Sequence, residues 1–263
     1  MFTYPFMRYA FVASFFIAIL CGVMGVFVIS RKTEFFTHTL SEIGFSGAAF
    51  GLFAGISPIA GMLLFTIVSS LLIGTVGNQV SRRESSISVF SGFFIGLGIL
   101  FLALANTQAS YATNILFGSI VGINAGNVKT LVILSVLILV ALFLIYRKLK
   151  YNSFDSVGAR YNVSWNTWIS VAFLILLACT VSVTAQIVGS LLIFVLLTIP
   201  ASAAHYFVHS VHGMMLLTFG FALFGAWLGL YLSYLTNWPV SAFIATLESA
   251  IYLLALGWHR IRK

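Results

Sequence analysis

The chain alternates between long apolar segments and short polar ones from end to end. Each apolar segment is about 20 residues long, which is enough for a helix to cross a hydrocarbon core of roughly 30 Å. No polar stretch between them is large enough to be a soluble domain. The pattern predicts an all-α, polytopic membrane protein with one transmembrane domain over residues 1–263. The predicted spans are Tyr9–Ser30, Thr37–Gly55, Ile59–Val76, Ile87–Ala105, Leu131–Tyr146, Trp168–Thr184, Ile187–Ala204, Met214–Leu235 and Val240–Trp258.

The stretch from Asn106 to Val128 is less regular than the rest. It contains the sequence LFGS at Leu116–Ser119 and two further glycines, Gly122 and Gly126. We interpret it as a short, partly inserted helix or an interfacial segment, which leaves the total at eight or nine spans. The longest polar stretch follows the fifth predicted span, and it predicts a cytoplasmic loop over about residues 147–166.

Composition supports the membrane assignment. Hydrophobic residues make up 61% of the chain and charged residues 7%, whereas an ordinary soluble domain carries about 25% charged residues. Both cysteines, Cys21 and Cys179, lie inside apolar segments without metal-ligand spacing, so we interpret them as small core side chains. A cleavable signal peptide is not expected, because the first apolar segment is too long for one.

The net charge of +8 is distributed as a topology signal and not as a nucleic-acid-binding patch. Basic residues cluster in the short segments between spans, and such clusters face the cytoplasm. An orientation with the N-terminus outside and the C-terminus inside places all but two of them in the cytoplasm. The basic residues expected inside are Arg31, Lys32, Arg82, Arg83, Arg147, Lys148, Lys150, Arg160, Arg260, Arg262 and Lys263.

The second predicted span, with Thr37 as its predicted N-cap, carries a costly polar pair. His38 and Glu42 are four residues apart, so a helix places them on one face, where they could bind the same ion. An ionised glutamate at the centre of a span costs about 2.5–3.5 kcal/mol and usually faces a bundle interior or an ion path. The alternative is an internal hydrogen bond that binds nothing. The same span is rich in small residues, which predicts a central position: Ser41, Gly44, Ser46, Gly47, Ala48, Ala49 and Gly51.

Two further sets of polar residues are weaker candidates. His205, His209 and His212 have the spacing i, i+4, i+7, which predicts one helical face and is typical of a metal site, although a loop that faces water or a partner protein also explains them. Glu248 is the other acid inside a span. It is a candidate for the ion path or a dimer interface, and the alternative is a hydrogen bond to a serine or tyrosine of another helix.

Five stretches together resemble one family of transporters. VGSLLIFVLLTIPASAA at Val188–Ala204 resembles a signature of the permease subunits of ABC importers for zinc, manganese and iron. The other four occur in matching order: VISRKTEFFTHTLSEIGFSG, LFGSIV, FDSVGAR and WPVSA. The resemblance implies a type II-like importer permease in a bacterial plasma membrane. It also implies a homodimer, two copies of a cytoplasmic ATPase, and an extracytoplasmic metal-binding protein.

The resemblance also implies roles for individual residues. FDSVGAR corresponds to the coupling helix that docks on the ATPase, with Ser156 and Val157 departing from the family pattern. The coupling residues retained are Phe154, Asp155, Ala159 and Arg160. In the second span the family usually has an aspartate followed four residues later by a histidine. Here His38 and Glu42 hold these positions, so the acid and the imidazole have exchanged places, and Ser46 replaces the usual proline.

The leading functional hypothesis is the permease subunit of an ATP-driven importer of Mn²⁺ or Zn²⁺. The chain has no G-x-x-x-x-G-K-[ST] phosphate-binding loop, so a separate subunit is expected to hydrolyse ATP, and the chain is not expected to be an enzyme. No permanently bound cofactor is expected, since the metal is the transported substrate. The alternatives are a permease for a metal chelate such as a siderophore and a stand-alone ion-coupled carrier.

Overall fold

The computed structural model describes residues 4–76, 80–105, 114–118, 123–154 and 163–261, without the side chains of residues 74–86 and 163–167. Within these ranges the chain is helical and contains no strand. A single helical turn covers residues 114–117. The longer helices are α1 (Pro5–Ser30), α2 (Glu34–Phe53), α3 (Pro58–Val76), α4 (Val80–Leu104), α5 (Ala125–Phe154), α6 (Val163–Val188), α7 (Ser190–His205), α8 (Val211–Thr236) and α9 (Val240–Ile261).

Six of the described helices are long and apolar enough to cross a membrane. They are α1, α5, α8, α9 and the apolar parts of α4 and α6, and α3 and α7 contain shorter apolar stretches. The first half of α2 carries Glu34, His38 and Glu42, which lower its mean hydropathy. The all-helical membrane fold is therefore confirmed. The number of spans and the orientation of the termini remain predictions.

Each predicted span overlaps mainly one of these helices, and several helices are longer than their apolar cores. The bounds of the seventh predicted span, Ile187–Ala204, are wrong at the start, because α6 continues to Val188 and α7 begins at Ser190. α4 begins at Val80, before the Arg82 and Arg83 pair, and α5 continues to Phe154. The predicted loop over residues 147–166 is therefore helical up to Phe154 and again from Val163. The apolar residues predict the part of a helix that crosses the membrane, but they do not predict where the helix ends. A helix can continue beyond its apolar part because lysine and arginine are themselves good helix formers.

The start of α2 also differs from the prediction. The helix begins at Glu34 with Thr33 as its N-cap, whereas Thr37 was the predicted cap. Thr37 lies inside the helix, and its hydroxyl donates to the carbonyl of Thr33 at 2.9 Å. A threonine hydroxyl in a helix commonly bonds to the carbonyl four residues earlier, so a threonine alone does not mark the N-terminus.

α2 is the central helix that its small residues predict. It packs mainly against α3 and α4 and also contacts α6 and α7. The predicted small residues of α2 are all buried. The closest approach is at Gly47 and Gly61, where a Cβ atom added to Gly61 would lie 2.1 Å from the carbonyl oxygen of Gly47. Small residues allow helix backbones to approach closely in a bilayer, and here both partners must be glycine.

A glycine corner connects α6 to α7. Gly189 has a φ of 94°, a backbone conformation that residues with a Cβ atom rarely adopt. A Cβ atom there would lie 2.3 Å from the backbone nitrogen of Gly118. Gly118 belongs to LFGS and Gly189 to the signature at Val188–Ala204, so two motifs distant in sequence meet at this corner.

The two cysteines are free thiols. Cys21 is buried in α1 and Cys179 is half-buried in α6. Their interpretation as core side chains agrees with these positions.

Candidate functional site

His38 and Glu42 lie one turn apart on α2, as their spacing predicts. The Nδ1 atom of His38 is 3.6 Å from the Oε1 atom of Glu42. The side chains are 39% and 19% exposed, so neither is sealed inside the protein. The pair therefore presents an imidazole and a carboxylate on the same accessible helix face.

Two other helices hold the pair in place. The Ser91 hydroxyl on α4 donates a hydrogen bond to Oε2 of Glu42, which leaves Oε1 facing His38. On the other side, the ring of Phe194 on α7 meets the His38 ring edge to face, with centroids 4.9 Å apart. The pair thus lies where α2, α4 and α7 meet. Sequence reasoning missed Ser91 and Phe194, because nothing local links them to α2.

Ser46 adds a second connection between α2 and α4. Its hydroxyl lies 2.5 Å from the carbonyl oxygen of Phe94 on α4 and 3.3 Å from that of Glu42. A proline, which the resemblance described above implies at this position, has no hydroxyl to make these contacts. Ser46 therefore gives this chain a polar contact between the helix that carries the pair and the helix that carries Ser91.

The donor set at the pair is incomplete for a resident metal ion. Among the residues that the structure describes, no group of three or more His, Cys, Asp and Glu side chains is arranged to hold an ion. One imidazole nitrogen, one carboxylate and one hydroxyl leave positions for water, backbone carbonyls or a second subunit. Such partial coordination suits an ion in passage, because an ion bound too tightly cannot leave.

Glu248 occupies a different environment. It lies on α9, is fully buried, and neither carboxylate oxygen has a hydrogen-bond partner within the described part of the chain. The expected hydrogen bond to a serine or tyrosine is therefore absent there. Gly225 of α8 lies directly against the carboxylate, where a Cβ atom would be 2.2 Å from Oε1. α9 packs mainly against α7 and α8, whereas the His38 and Glu42 pair belongs to α2.

The three clustered histidines do not share a helical face, so that prediction is wrong. α7 ends at His205, His209 lies in the connection that follows, and His212 lies in the first turn of α8. The rings of His205 and His209 are 6.2 Å apart, while Nε2 of His212 lies 3.1 Å from the Tyr146 hydroxyl. The i, i+4, i+7 rule requires a continuous helix, and the helix stops here.

Of the predicted coupling residues, the structure describes only Phe154. It is the last residue of α5, and its ring packs edge to face against Phe27 of α1, with centroids 6.4 Å apart. Asp155, Ala159 and Arg160 lie outside the described residues. Phe154, the first residue of FDSVGAR, therefore joins the end of α5 to α1.

A cavity of about 960 Å³ opens elsewhere, between α1, α6, α7, α8 and α9. Its lining is mainly apolar and includes Ile17, Leu196 and Ala222. None of the predicted metal ligands lines it. The cavity and the polar pair are therefore separate features.

Comparison with known proteins identifies the family. Residues 3–258 match the ABC 3 transport family. The membrane protein slr2045 of Synechocystis, described as uncharacterized, is 30% identical over 261 residues, covering 98% of this chain and 92% of that protein. The manganese transport system membrane protein MntC of Listeria monocytogenes is 30% identical over 257 residues, covering 96% of this chain and 90% of its own.

The fold is also similar to a solved structure, that of PsaBC from Streptococcus pneumoniae in complex with Fab. The similarity has a TM-score of 0.82 at 23% identity and covers 96% of this chain and 91% of the other. The resemblance detected from the five sequence motifs is confirmed, since the family match extends over nearly the whole chain. The chain belongs to the ABC 3 transport family and is a membrane permease subunit of an ABC transporter, not itself an enzyme.

Proposed function

We propose that two copies of this chain form the path through which an ABC importer carries Mn²⁺ into the cell, driven by a separate ATPase. The observation that carries the proposal is the accessible His38 and Glu42 pair on the central helix α2, with its carboxylate oriented by Ser91. ATP binding draws two copies of the ATPase together, and the permeases then expose the pair to one side of the membrane and afterwards to the other.

Mn²⁺ is favoured over Zn²⁺ by the donor chemistry. Carboxylate, hydroxyl and water oxygens suit Mn²⁺, whereas Zn²⁺ prefers sites richer in imidazole or thiolate. The pair offers one imidazole, and the two cysteines, Cys21 and Cys179, are on α1 and α6 and not on α2. MntC of Listeria monocytogenes, a similar protein, is named for manganese transport.

The proposed partners follow from the same function. The coupling residues Phe154, Asp155, Ala159 and Arg160 dock on the ATPase, and a metal-binding protein delivers the ion from outside. The proposed orientation places the C-terminus of the chain in the cytoplasm. It also brings the exposed His205, His209 and His212 to the cytoplasmic surface, where they face water or the ATPase instead of binding metal.

The test is metal accumulation in cells that lack their own manganese importers. Cells that express the permease with its ATPase and metal-binding protein are expected to accumulate Mn²⁺ in preference to Zn²⁺. Omission of the ATPase is expected to abolish accumulation, because the permease has no nucleotide-binding loop of its own. Uptake without any ATPase would identify a stand-alone carrier, and uptake of an iron chelate in place of the free ion would identify a chelate permease.

We also propose that Glu248 is a packing group outside the ion path. It is fully buried against Gly225, and an unpaired charge at that depth is costly. Glu248→Gln keeps the shape of the side chain without its charge, so we expect manganese uptake and complex assembly close to those of the parent protein. Loss of uptake in Glu248→Gln with normal assembly would instead assign the carboxylate to the ion path.

A further inference from the structure

The turn between α1 and α2 carries an arginine that connects three helices. Arg31 follows the last residue of α1, and its Nη1 atom donates to Oδ1 of Asn152 at 2.9 Å and to the Ser153 hydroxyl at 3.3 Å. Its Nη2 atom donates to the Ser170 hydroxyl at 2.6 Å. The planar guanidinium presents several donors in a fixed geometry, so one side chain can serve all three acceptors.

These acceptors lie on the helices that precede and follow the coupling motif. Asn152 and Ser153 are in the last turn of α5, and Ser170 is near the start of α6. The motif itself begins at Phe154, at the end of α5. Arg31 therefore joins the turn between α1 and α2 to the helices on both sides of the motif.

The hydrogen bonds of Arg31 to Asn152, Ser153 and Ser170 form a polar junction. An aromatic cluster lies beside this junction and connects the same elements. The guanidinium carbon of Arg31 lies 5.0 Å from the centre of the Phe173 ring on α6, a cation–π contact. Phe27, one turn before Arg31, meets Phe154 and Phe173 edge to face, each at 6.4 Å between centroids. The connection thus combines hydrogen bonds, a cation–π contact and ring packing.

The junction is also firmly connected to α2. The backbone nitrogen of Thr33 donates to the carbonyl of Val28 at 3.0 Å, and the Thr33 hydroxyl approaches the same oxygen at 3.2 Å. α2 begins at the next residue, Glu34, and His38 follows one turn later. A displacement of the α5 and α6 ends therefore has a short, hydrogen-bonded route to the helix that carries His38 and Glu42.

We propose that Arg31 is a positioning residue that transmits movement of the α5 and α6 ends to α2, and so links ATP hydrolysis to exposure of the His38 and Glu42 pair. The inference rests on the proposed function, since it requires an ATPase docked at the coupling motif. Arg31 touches neither the ion nor the nucleotide. Its effect is on how much metal moves for each ATP hydrolysed.

The test uses the complete permease–ATPase complex in proteoliposomes, with ATP hydrolysis and Mn²⁺ uptake measured on the same sample. Arg31→Gln is expected to assemble and hydrolyse ATP while transporting about tenfold fewer ions per ATP, in the range of measured couplings through contact networks. Arg31→Lys is expected to recover part of the loss, because its single ammonium group cannot reach all the acceptors. Lys32→Gln is the matched control, since it removes an exposed positive charge from the adjacent position. Its ratio of Mn²⁺ ions transported to ATP hydrolysed is expected to equal that of the parent.

Two milder variants make the test independent of a folding defect. Ser170→Ala and Asn152→Ala each remove one acceptor from opposite sides of the junction, and each is expected to lower the ratio by about twofold to threefold. An unchanged ratio in Arg31→Gln would overturn the inference and leave the importer function intact. If Arg31→Gln does not assemble, an unchanged ratio in both milder variants would have the same meaning. A parent complex that takes up Mn²⁺ without hydrolysing ATP would overturn the proposed function, and this inference with it.

Discussion

Manganese accumulation is expected to fall by about 100-fold in His38→Ala and in Glu42→Ala, with membrane insertion and complex assembly unchanged. Each substitution removes one of the two proposed metal ligands, and loss of a group that merely supports a metal ligand already costs about 10- to 100-fold. Both side chains are partly exposed, so their truncation is expected to leave the helix bundle intact. Ser91→Ala, which only frees the carboxylate to rotate, is expected to have a smaller effect of about tenfold. Uptake of radioactive manganese in cells, corrected for the amount of complex, measures all three.

Glu34→Gln is the control for this series. Glu34 lies on the same helix two turns earlier, so the substitution removes an equal charge from α2 without touching the pair. Its uptake is expected to match that of the parent. Normal uptake by both His38→Ala and Glu42→Ala would reduce the pair to a structural hydrogen bond and would remove the main support for the proposed ion path.

Gly61→Ala is expected to be strongly destabilising although it adds a single methyl group. The new Cβ atom would lie 2.1 Å from the carbonyl oxygen of Gly47 and 3.0 Å from the backbone nitrogen of Gly51, both on α2. Backbone atoms cannot move aside as a flexible side chain can, so α3 must shift away from α2. Overpacking of this kind costs about 1–3 kcal/mol. A lower unfolding temperature in detergent and a lower yield of monodisperse protein are the expected results, together with reduced uptake, because α2 also carries His38 and Glu42.

Gly96→Ala on α4 is the matched control. A Cβ atom at Gly96 meets nothing within 4 Å among the described residues, and alanine is the better helix former by up to about 1 kcal/mol. The variant is expected to be as stable as the parent protein or slightly more stable. Equal unfolding temperatures for Gly61→Ala and Gly96→Ala would contradict the close contact between α2 and α3.

The pattern of apolar and polar residues along the chain predicted the helices well, but it predicted their ends poorly. Apolar segments of spanning length identified each long helix, because the bilayer sets a length that the sequence must satisfy. The end of α5 at Phe154 was missed, since hydrophobicity stops near Tyr146 while helix propensity continues through the basic residues. The start of α2 was missed because Thr37 bonds within the helix instead of capping it.

The candidate site shows the same division between local and distant information. The His38 and Glu42 pair follows from helical geometry alone, because residues four apart on a helix are neighbours. The same rule was wrong for His205, His209 and His212, where the helix ends at His205. Periodicity predicts neighbours only within one unbroken element.

The sequence by itself determined the all-helical membrane fold, the central position of α2, the adjacent imidazole and carboxylate, and the family. These depend on composition, on helical spacing and on motifs read in order along the chain. Only the tertiary structure decided that Ser91 and Phe194 hold the pair, that Glu248 is buried against Gly225, and that Arg31 joins three helices. The reason is physical: helix packing brings together residues as far apart as Arg31 and Ser170, and a single sequence carries no periodic signal for such contacts.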